Sequence, residues 1–243
     1  MAETTFAVTQ SSVGETARTL EVDWEVFARE HRVARPGQTT TTRRTLVSSG
    51  RPIAGTQVRV VDDRRVGVPD GKVGEIAIAS SSLMSGYFNS PERTAEVLAD
   101  GWYFSGDLGF IDDGHVFVTG RRKDMIIIAG NNVYPQDVEE VVSELDGVYP
   151  GRVVSCGVWD ETSGTEQLVI LAETLLEGDR DRSRLKLKIA SAVRQRLDCT
   201  ANDILLVPHM WLVKSSSGKI SRSANRDRYL EERRARTTAM SEA

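Results

Sequence analysis

The stretch GRRKDMIIIAGN, residues 120–131, decides how this chain is read. Arg121, Arg122, Lys123 and Asp124 stand directly against Met125, Ile126, Ile127 and Ile128, and the run closes on Gly130-Asn131, a pair suited to a tight turn. A charge run in a connection is usually just solvated. Here it also marks a change of pattern, because strand-like alternation dominates before it and strands alternate with helices after it. The sequence therefore predicts a domain boundary near Arg122–Asp124, with residues 1–122 on one side and 123–243 on the other.

Working backwards, TQVRVVD and VGEIAIA alternate apolar and polar side chains across the turn-rich RRVGVPDGK, as adjacent strands do. SPERTAEVLAD has Ser90 as N-cap, Pro91 at the first helical position and Glu92 in the first turn, which predicts a short helix. DLGFID and HVFVTG flank Asp113-Gly114, a strong hairpin signal. The first fifty residues are the least regular: VDWEVFARE can form a short helix, and RPGQTTTTRRT reads as a surface loop.

Working forwards, MIIIA reads as a strand and YPQDVEEVVSELDG as a helix with Val138, Val141, Val142 and Leu145 on one face. RVVSCGVW and EQLVILAE read as strands. RSRLKLKIASAVRQRLD reads as a helix aligned by Leu185, Ile189, Val193 and Leu197, and ILLVPHMWLV as a final strand. The order β-α-β-β-α-β predicts an α+β unit with two helices on a small sheet, and the tail NRDRYLEERRARTT a solvated helix face.

Composition sets the outer bounds. With 243 residues, 40% hydrophobic and 27% charged, the chain can bury one large or two small cores. No apolar run approaches the ~20 residues of a membrane span, and MAETTFAVTQ lacks a signal peptide's basic and apolar regions, so a cytoplasmic location is expected. A net charge of −4 argues against a nucleic-acid protein. Cys156 and Cys199 are too isolated for a disulfide framework, and His31, His115 and His209 have no ligand spacing, which predicts reduced thiols and no structural metal.

The segments able to carry chemistry are individually weak. Glu3 could hold a divalent cation, but chain termini usually fray. Asp107, after a Ser-Gly turn in WYFSGDLGF, could accept hydrogen bonds from a sugar diol or could merely cap a turn. VKSSSGKISR resembles a phosphate cradle without the Gly-x-x-x-x-Gly-Lys-Ser/Thr spacing.

Their order is more specific. GEIAIASSSLMSGYFNSPERT, WYFSGDLGF, GRRKDMIIIAGNNVYPQDVEE and SSSGKISR follow one another as the Gly-Glu-Ile, Gly-Tyr, aromatic-x-x-Gly-Asp, Gly-Arg-x-x-Asp and Gly-Lys-Ile elements of the adenylate-forming acyl-activating enzymes. The chain resembles that superfamily over nearly its whole length. AETTFAVT, VSSGRPIAGTQVRVVD and IIIAGNNVYPQDVEE look most like its fatty-acyl-AMP ligases, a pattern shared with long-chain acyl-CoA ligases.

The resemblance implies an α+β fold: the β-rich C-terminal part of the large AMP-binding domain, then a small mobile α+β domain. It implies ATP and magnesium as cofactors, a fatty acid as substrate, and coenzyme A or an acyl carrier protein as acceptor. By the same resemblance Glu3 binds the magnesium, Asp107 the ribose hydroxyls and Arg121 the nucleotide. Lys219 is the catalytic lysine and Lys123 the hinge about which the small domain turns between adenylation and acyl transfer. The superfamily's phosphate loop, adenine pocket and most of its acyl tunnel precede this region and are not among these 243 residues. MAE matches the end of a Tyr-Gly-Met-Ala-Glu motif, so the expectation is a C-terminal ligase segment that is inactive alone. The rival expectations are one half of a split ligase complemented by an N-terminal half, and a non-catalytic module that docks a carrier protein.

Overall fold

The structure, a computed structural model, describes residues 1–215 and 218–241, with residues 236–241 described by backbone alone. The chain forms two compact units, Met1–Lys123 and Asp124–Ala243. Helices and strands are mixed in the α+β manner expected.

In the first unit, strands β1 (Thr9–Gln10), β2 (Thr19–Asp23), β3 (Arg43–Val47), β4 (Arg51–Pro52), β5 (Thr56–Val61), β6 (Gly74–Ser80), β7 (Leu98–Ala99), β8 (Trp102–Asp112) and β9 (His115–Arg121) surround helices α1 (Trp24–Glu30) and α2 (Pro91–Val97). The main sheet runs β5-β6-β8-β7, with β9 also paired to β8. Alternation divides its two faces: Ile76 and Ile78 pack with Tyr103 and Val116, while Ala77 packs with Val61 and Phe104. Phe110 stacks on Phe117 at 4.8 Å and meets Phe27 of α1 edge-on at 5.8 Å. The hairpin at Asp113-Gly114 forms as read, with both residues at positive φ (51° and 74°), as a two-residue turn of that type requires.

Two local readings of this unit are corrected. Arg43–Thr45 do not lie in a loop but in β3, paired with β2. Arg44 stacks its guanidinium 4.1 Å from the Trp24 ring, so an arginine fills a position where an apolar residue would have signalled a strand. Ser90 precedes α2 but its hydroxyl makes no cap; instead Thr94 Oγ1 donates to the Ser90 carbonyl at 2.8 Å and accepts from the Tyr87 N–H at 2.9 Å.

In the second unit, β10 (Ile126–Ile128), β11 (Asn131–Val133), α3 (Pro135–Ser143), β12 (Val153–Asp160), β13 (Thr165–Glu173), α4 (Asp179–Leu197), β14 (Ala201–Val207) and α5 (Arg222–Ser241) follow in order. β13 is central, antiparallel to β12 and parallel to β14 across the α4 crossover. Its period of two serves two cores. Leu168, Ile170 and Ala172 face Val138, Val141 and Val142 of α3 and Leu185, Ile189 and Val193 of α4. Val169 and Leu171 face Leu212 and Tyr229.

This differs from the expected two helices on one sheet. α5 covers the second face, so the tail is not a wholly solvated helix: Asn225 and Tyr229 are buried. The turn after β10 is Ala129-Gly130 (φ 48° and 81°), and Asn131 opens an additional strand, β11. The last strand stops at Val207, where Pro208 has no N–H to continue a ladder.

Candidate functional site

The site in the first unit begins with an irregularity. Opposite the single residue Ile76 of β6, strand β8 carries Ser105, Gly106 and Asp107, a bulge that re-aims the side chains leaving it. Ser105 Oγ donates to the Ile76 carbonyl at 2.7 Å and accepts from the Asp107 N–H at 3.1 Å. The Gly106 N–H donates to Glu75 Oε1 at 2.8 Å, and Gly106 itself sits at φ 71°, a conformation a side chain would strain.

Asp107 thus leaves the bulge opposite Arg121 of β9. Arg121 Nε donates to Asp107 Oδ1 at 3.0 Å, with the aspartate side chain 20% exposed and the arginine 55%. Arg122 reaches Asp63 at 2.9 Å and Glu75 at 3.4 Å. The structure therefore joins two of the residues singled out in the sequence, Asp107 and Arg121, as an ion pair open to solvent on its arginine side.

Glu3 lies in a 3-10 turn, Ala2–Thr4. The turn is tied down: the Met84 N–H donates to the Glu3 carbonyl at 2.8 Å, and Ser82 Oγ to the Thr4 carbonyl at 3.1 Å. The Tyr87 hydroxyl donates to Glu3 Oε1 at 3.3 Å. Burial, then hydrogen bonding to Tyr87 and the negative charge of Glu3, push the Tyr103 phenol well above its usual range. The expectation of a frayed terminus gives way because Ser82 and Tyr87, far away in sequence, supply its partners. Among the described residues no group of three or more His, Cys, Asp or Glu could hold a metal ion. Glu3 alone would supply a divalent cation such as magnesium with one hard carboxylate ligand.

Lys123 lies in a second 3-10 turn, Arg122–Asp124, exposed and paired with no carboxylate among the described residues. Asp124 instead pairs with Arg222 at 2.9 Å, and Arg222 forks onto Glu139 at 2.8 and 2.7 Å. Pairing with Glu139, reinforced by Asp124, raises the already high pKa of Arg222.

Lys219 belongs to the second unit. The Ser215 N–H and Oγ donate to its carbonyl at 2.7 and 3.1 Å, and the Gly218 N–H donates to the Ser215 carbonyl at 2.9 Å. Ser216 and Ser217 of the serine run lie outside the described residues. The Lys219 side chain is exposed and lines a cleft of about 460 Å³ with Glu139, Glu140 and Arg222. Sequence reading missed Tyr87, Glu75, Glu139 and Arg222. All four lay within stretches already noticed, Glu75 in Gly-Glu-Ile, Tyr87 in Gly-Tyr, Glu139 at the end of GRRKDMIIIAGNNVYPQDVEE and Arg222 at the end of SSSGKISR, but nothing in the sequence showed which side chains they meet.

Residues 1–88 match the AMP-binding enzyme family. A medium-chain fatty acid–acyl carrier protein ligase, JamA of Moorena producens, is 35% identical over 95% of this chain and 41% of its own length. The 4-hydroxyphenylalkanoate adenylyltransferase of Mycobacterium tuberculosis is 35% identical over 80% of this chain and 34% of its own. A structure from work on fatty acyl-adenylate ligases of E. coli and L. pneumophila superposes with a TM-score of 0.86 at 29% identity, covering 97% of this chain and 41% of that one. The chain belongs to the AMP-binding, adenylate-forming superfamily. It spans about a third to two fifths of the length of these relatives, and the relatives include acyl-CoA and fatty-acid ligases.

Proposed function

We propose that this chain is the ribose-binding and lysine-bearing part of an ATP-dependent ligase that activates a fatty acid as its acyl-adenylate and passes the acyl group to a carrier protein or coenzyme A. In this reading Met1–Lys123 is the β-rich end of the large AMP-binding domain and Asp124–Ala243 the small mobile domain. The observation that carries it is the Asp107–Arg121 pair, held on a three-residue bulge beside the boundary between the two units. The similarity to JamA supports a carrier protein as acceptor.

Adenylation joins a carboxylate to the α-phosphorus of ATP as pyrophosphate leaves, so two anions must meet. The residues suit that task. The Asp107 carboxylate accepts from vicinal ribose hydroxyls, each charge-assisted bond contributing roughly 1.5–3 kcal/mol. Arg121 holds that carboxylate in place and offers its remaining N–H groups to the nucleotide. Glu3, oriented by Tyr87, would supply an oxygen to magnesium. Lys219 presents an exposed ammonium to the charge that develops, and Lys123, bound to neither unit by an ion pair among the described residues, is the swivel. Phe6 and Phe88, 87% and 92% exposed, provide apolar surface for the phosphate-binding part of the ligase, whether that part lies on the same polypeptide or another.

The test is ATP–pyrophosphate exchange with a medium-chain fatty acid, using the 243 residues alone and combined with the phosphate-binding portion of a relative such as JamA. Exchange is expected only in combination. Lys219→Ala should lower it by roughly 10²–10³, and Asp107→Ala should raise the KM for ATP. Exchange that survives both substitutions unchanged would sink the reading. Separate transfer assays with carrier protein and with coenzyme A choose the acceptor.

A further inference from the structure

The exposed Lys219 side chain contrasts with the loop that carries it: Ser215 holds the Lys219 carbonyl, and a buried amide holds the neck of the loop from the inside. The loop leaves at Val213 and returns at Ser221, whose N–H donates to the Val213 carbonyl at 3.1 Å; Lys214 and Ile220 form an isolated bridge between. Asn225, in the first turn of α5, is wholly buried. Its Oδ1 accepts from the Val213 N–H at 2.8 Å, and its Nδ2 donates to the Val213 carbonyl at 2.9 Å and the Ser221 carbonyl at 2.7 Å. Both side-chain donors and the acceptor are therefore used, all on the two strands of the loop's neck. The amide stands where another strand's backbone would stand in a ladder, taking both backbone groups of Val213.

The support continues along α5. Arg228 donates to the Trp211 carbonyl and lies over that residue's ring at 4.0 Å, and the Tyr229 hydroxyl donates to Asp203 at 2.7 Å on β14. An apolar side chain would fill the space under the loop without a desolvation cost; a buried amide is tolerable only because the neck satisfies it. Lysine is a point charge on a flexible stem, so accuracy in placing its ammonium must come from the backbone that carries it.

We propose that Asn225 is the positioning residue for Lys219, clamping the neck of the loop two residues beyond the lysine. The proposal rests on the reading of Lys219 as the reacting lysine, and its experiment separates the two. Asn225→Asp in the 243-residue chain keeps the shape and removes the donors. Ionised, its carboxylate faces two carbonyls and repels them; protonated, its O–H can donate to one of them while the other oxygen accepts from Val213. The loop should therefore tighten as pH falls and loosen as pH rises through that carboxyl's pKa, which burial beside carbonyls places above the ordinary carboxylate range.

In amide hydrogen exchange and ¹H–¹⁵N spectra from pH 5 to 8, the variant's Val213, Ser215 and Ser221 amides should titrate together, and their protection factors, which divide out the base-catalysed rise in intrinsic exchange, should fall about tenfold or more at the alkaline end, with β12 and β13 as protected as in the parent. The parent's neck should show no such titration. Neck amides that stay protected at every pH, or loss of protection spread equally through β12 and β13, would overturn the proposal. Should the aspartate variant fail to fold, Asn225→Ala, which buries no charge, is expected to loosen the same amides without pH dependence; unchanged exchange there overturns it equally. In the combined ligase, Asn225→Asp should lower kcat at least tenfold with the KM for ATP unmoved. If Lys219→Ala leaves exchange activity intact, the functional reading fails; if Lys219→Ala abolishes it while Asn225→Asp leaves kcat unchanged, the positioning role fails alone.

Discussion

Glu173 ends the central strand β13 with no exposed surface, and its replacement by glutamine has a calculable cost. Its carboxylate accepts the Met210 N–H at 3.0 Å and the Leu212 N–H at 2.8 Å, and lies 3.1 Å from His209 Nδ1 and 3.7 Å from Arg152. In Glu173→Gln one oxygen becomes an NH₂ group, which cannot accept from a backbone N–H. The better flip keeps oxygen toward Leu212, which is buried, and turns the NH₂ toward Met210, which is exposed and can recruit water. One charge-assisted bond is lost, roughly 1.5–3 kcal/mol, and the other falls to neutral strength, costing about 1 kcal/mol more. The sum is about 3 kcal/mol. With an unfolding entropy near 2.1 cal/mol/K per residue over residues 124–243, that lowers the second unit's Tm by about 12 °C. Calorimetry and urea titration measure it, and amide exchange should show Met210 losing protection first. A loss below about 1 kcal/mol would refute the argument that this carboxylate organises the Pro208–Val213 segment.

Three further outcomes are expected. Gly109→Ala places a Cβ 2.3 Å from the Phe117 carbonyl oxygen and 2.8 Å from Ile76 Cδ1, so the β8–β9 ladder must shift; urea unfolding of the first unit should show a loss of about 2–3 kcal/mol. Burial, with Lys72 nearby, holds the His31 imidazole below its ordinary 6.5, so the unfolded chain binds that proton more readily. Stability should fall as pH drops below about 6.5, and His31→Gln should flatten that part of a Tm profile run between pH 5 and 8. Burial pushes the Cys156 thiol up to about 12 and Cys199 to about 11, so mass-resolved iodoacetamide labelling at pH 8 should be slow at both in the native chain and fast in urea. Native Cys156 should be the slower.

What could be read in the sequence was what neighbouring residues fix among themselves. Asp113-Gly114 announced its hairpin because both residues tolerate positive φ, and Leu185, Ile189 and Val193 announced α4 because 3.6-residue spacing puts them on one face. The bulge under Asp107 was not legible, since the residues that hold it, Glu75 and Ile76, come from another strand. Nor was β3, where Arg44 stands in for an apolar residue by stacking on Trp24. Within the candidate site, the motif order picked out Asp107, Arg121, Lys123, Lys219 and Glu3. Asn225, read as part of a solvated helix face, is buried by tertiary packing that no neighbour in the sequence announces.

The charges of GRRKD sort by side. Arg121 and Arg122 pair with Asp107, Asp63 and Glu75 of the first unit, Asp124 pairs with Arg222 of the second, and Lys123 between them pairs with no carboxylate among the described residues. On the proposed reading of Lys123 as the swivel, turning the backbone there stretches none of these pairs. Ionic strength should consequently tune the stability of each unit through its own pairs.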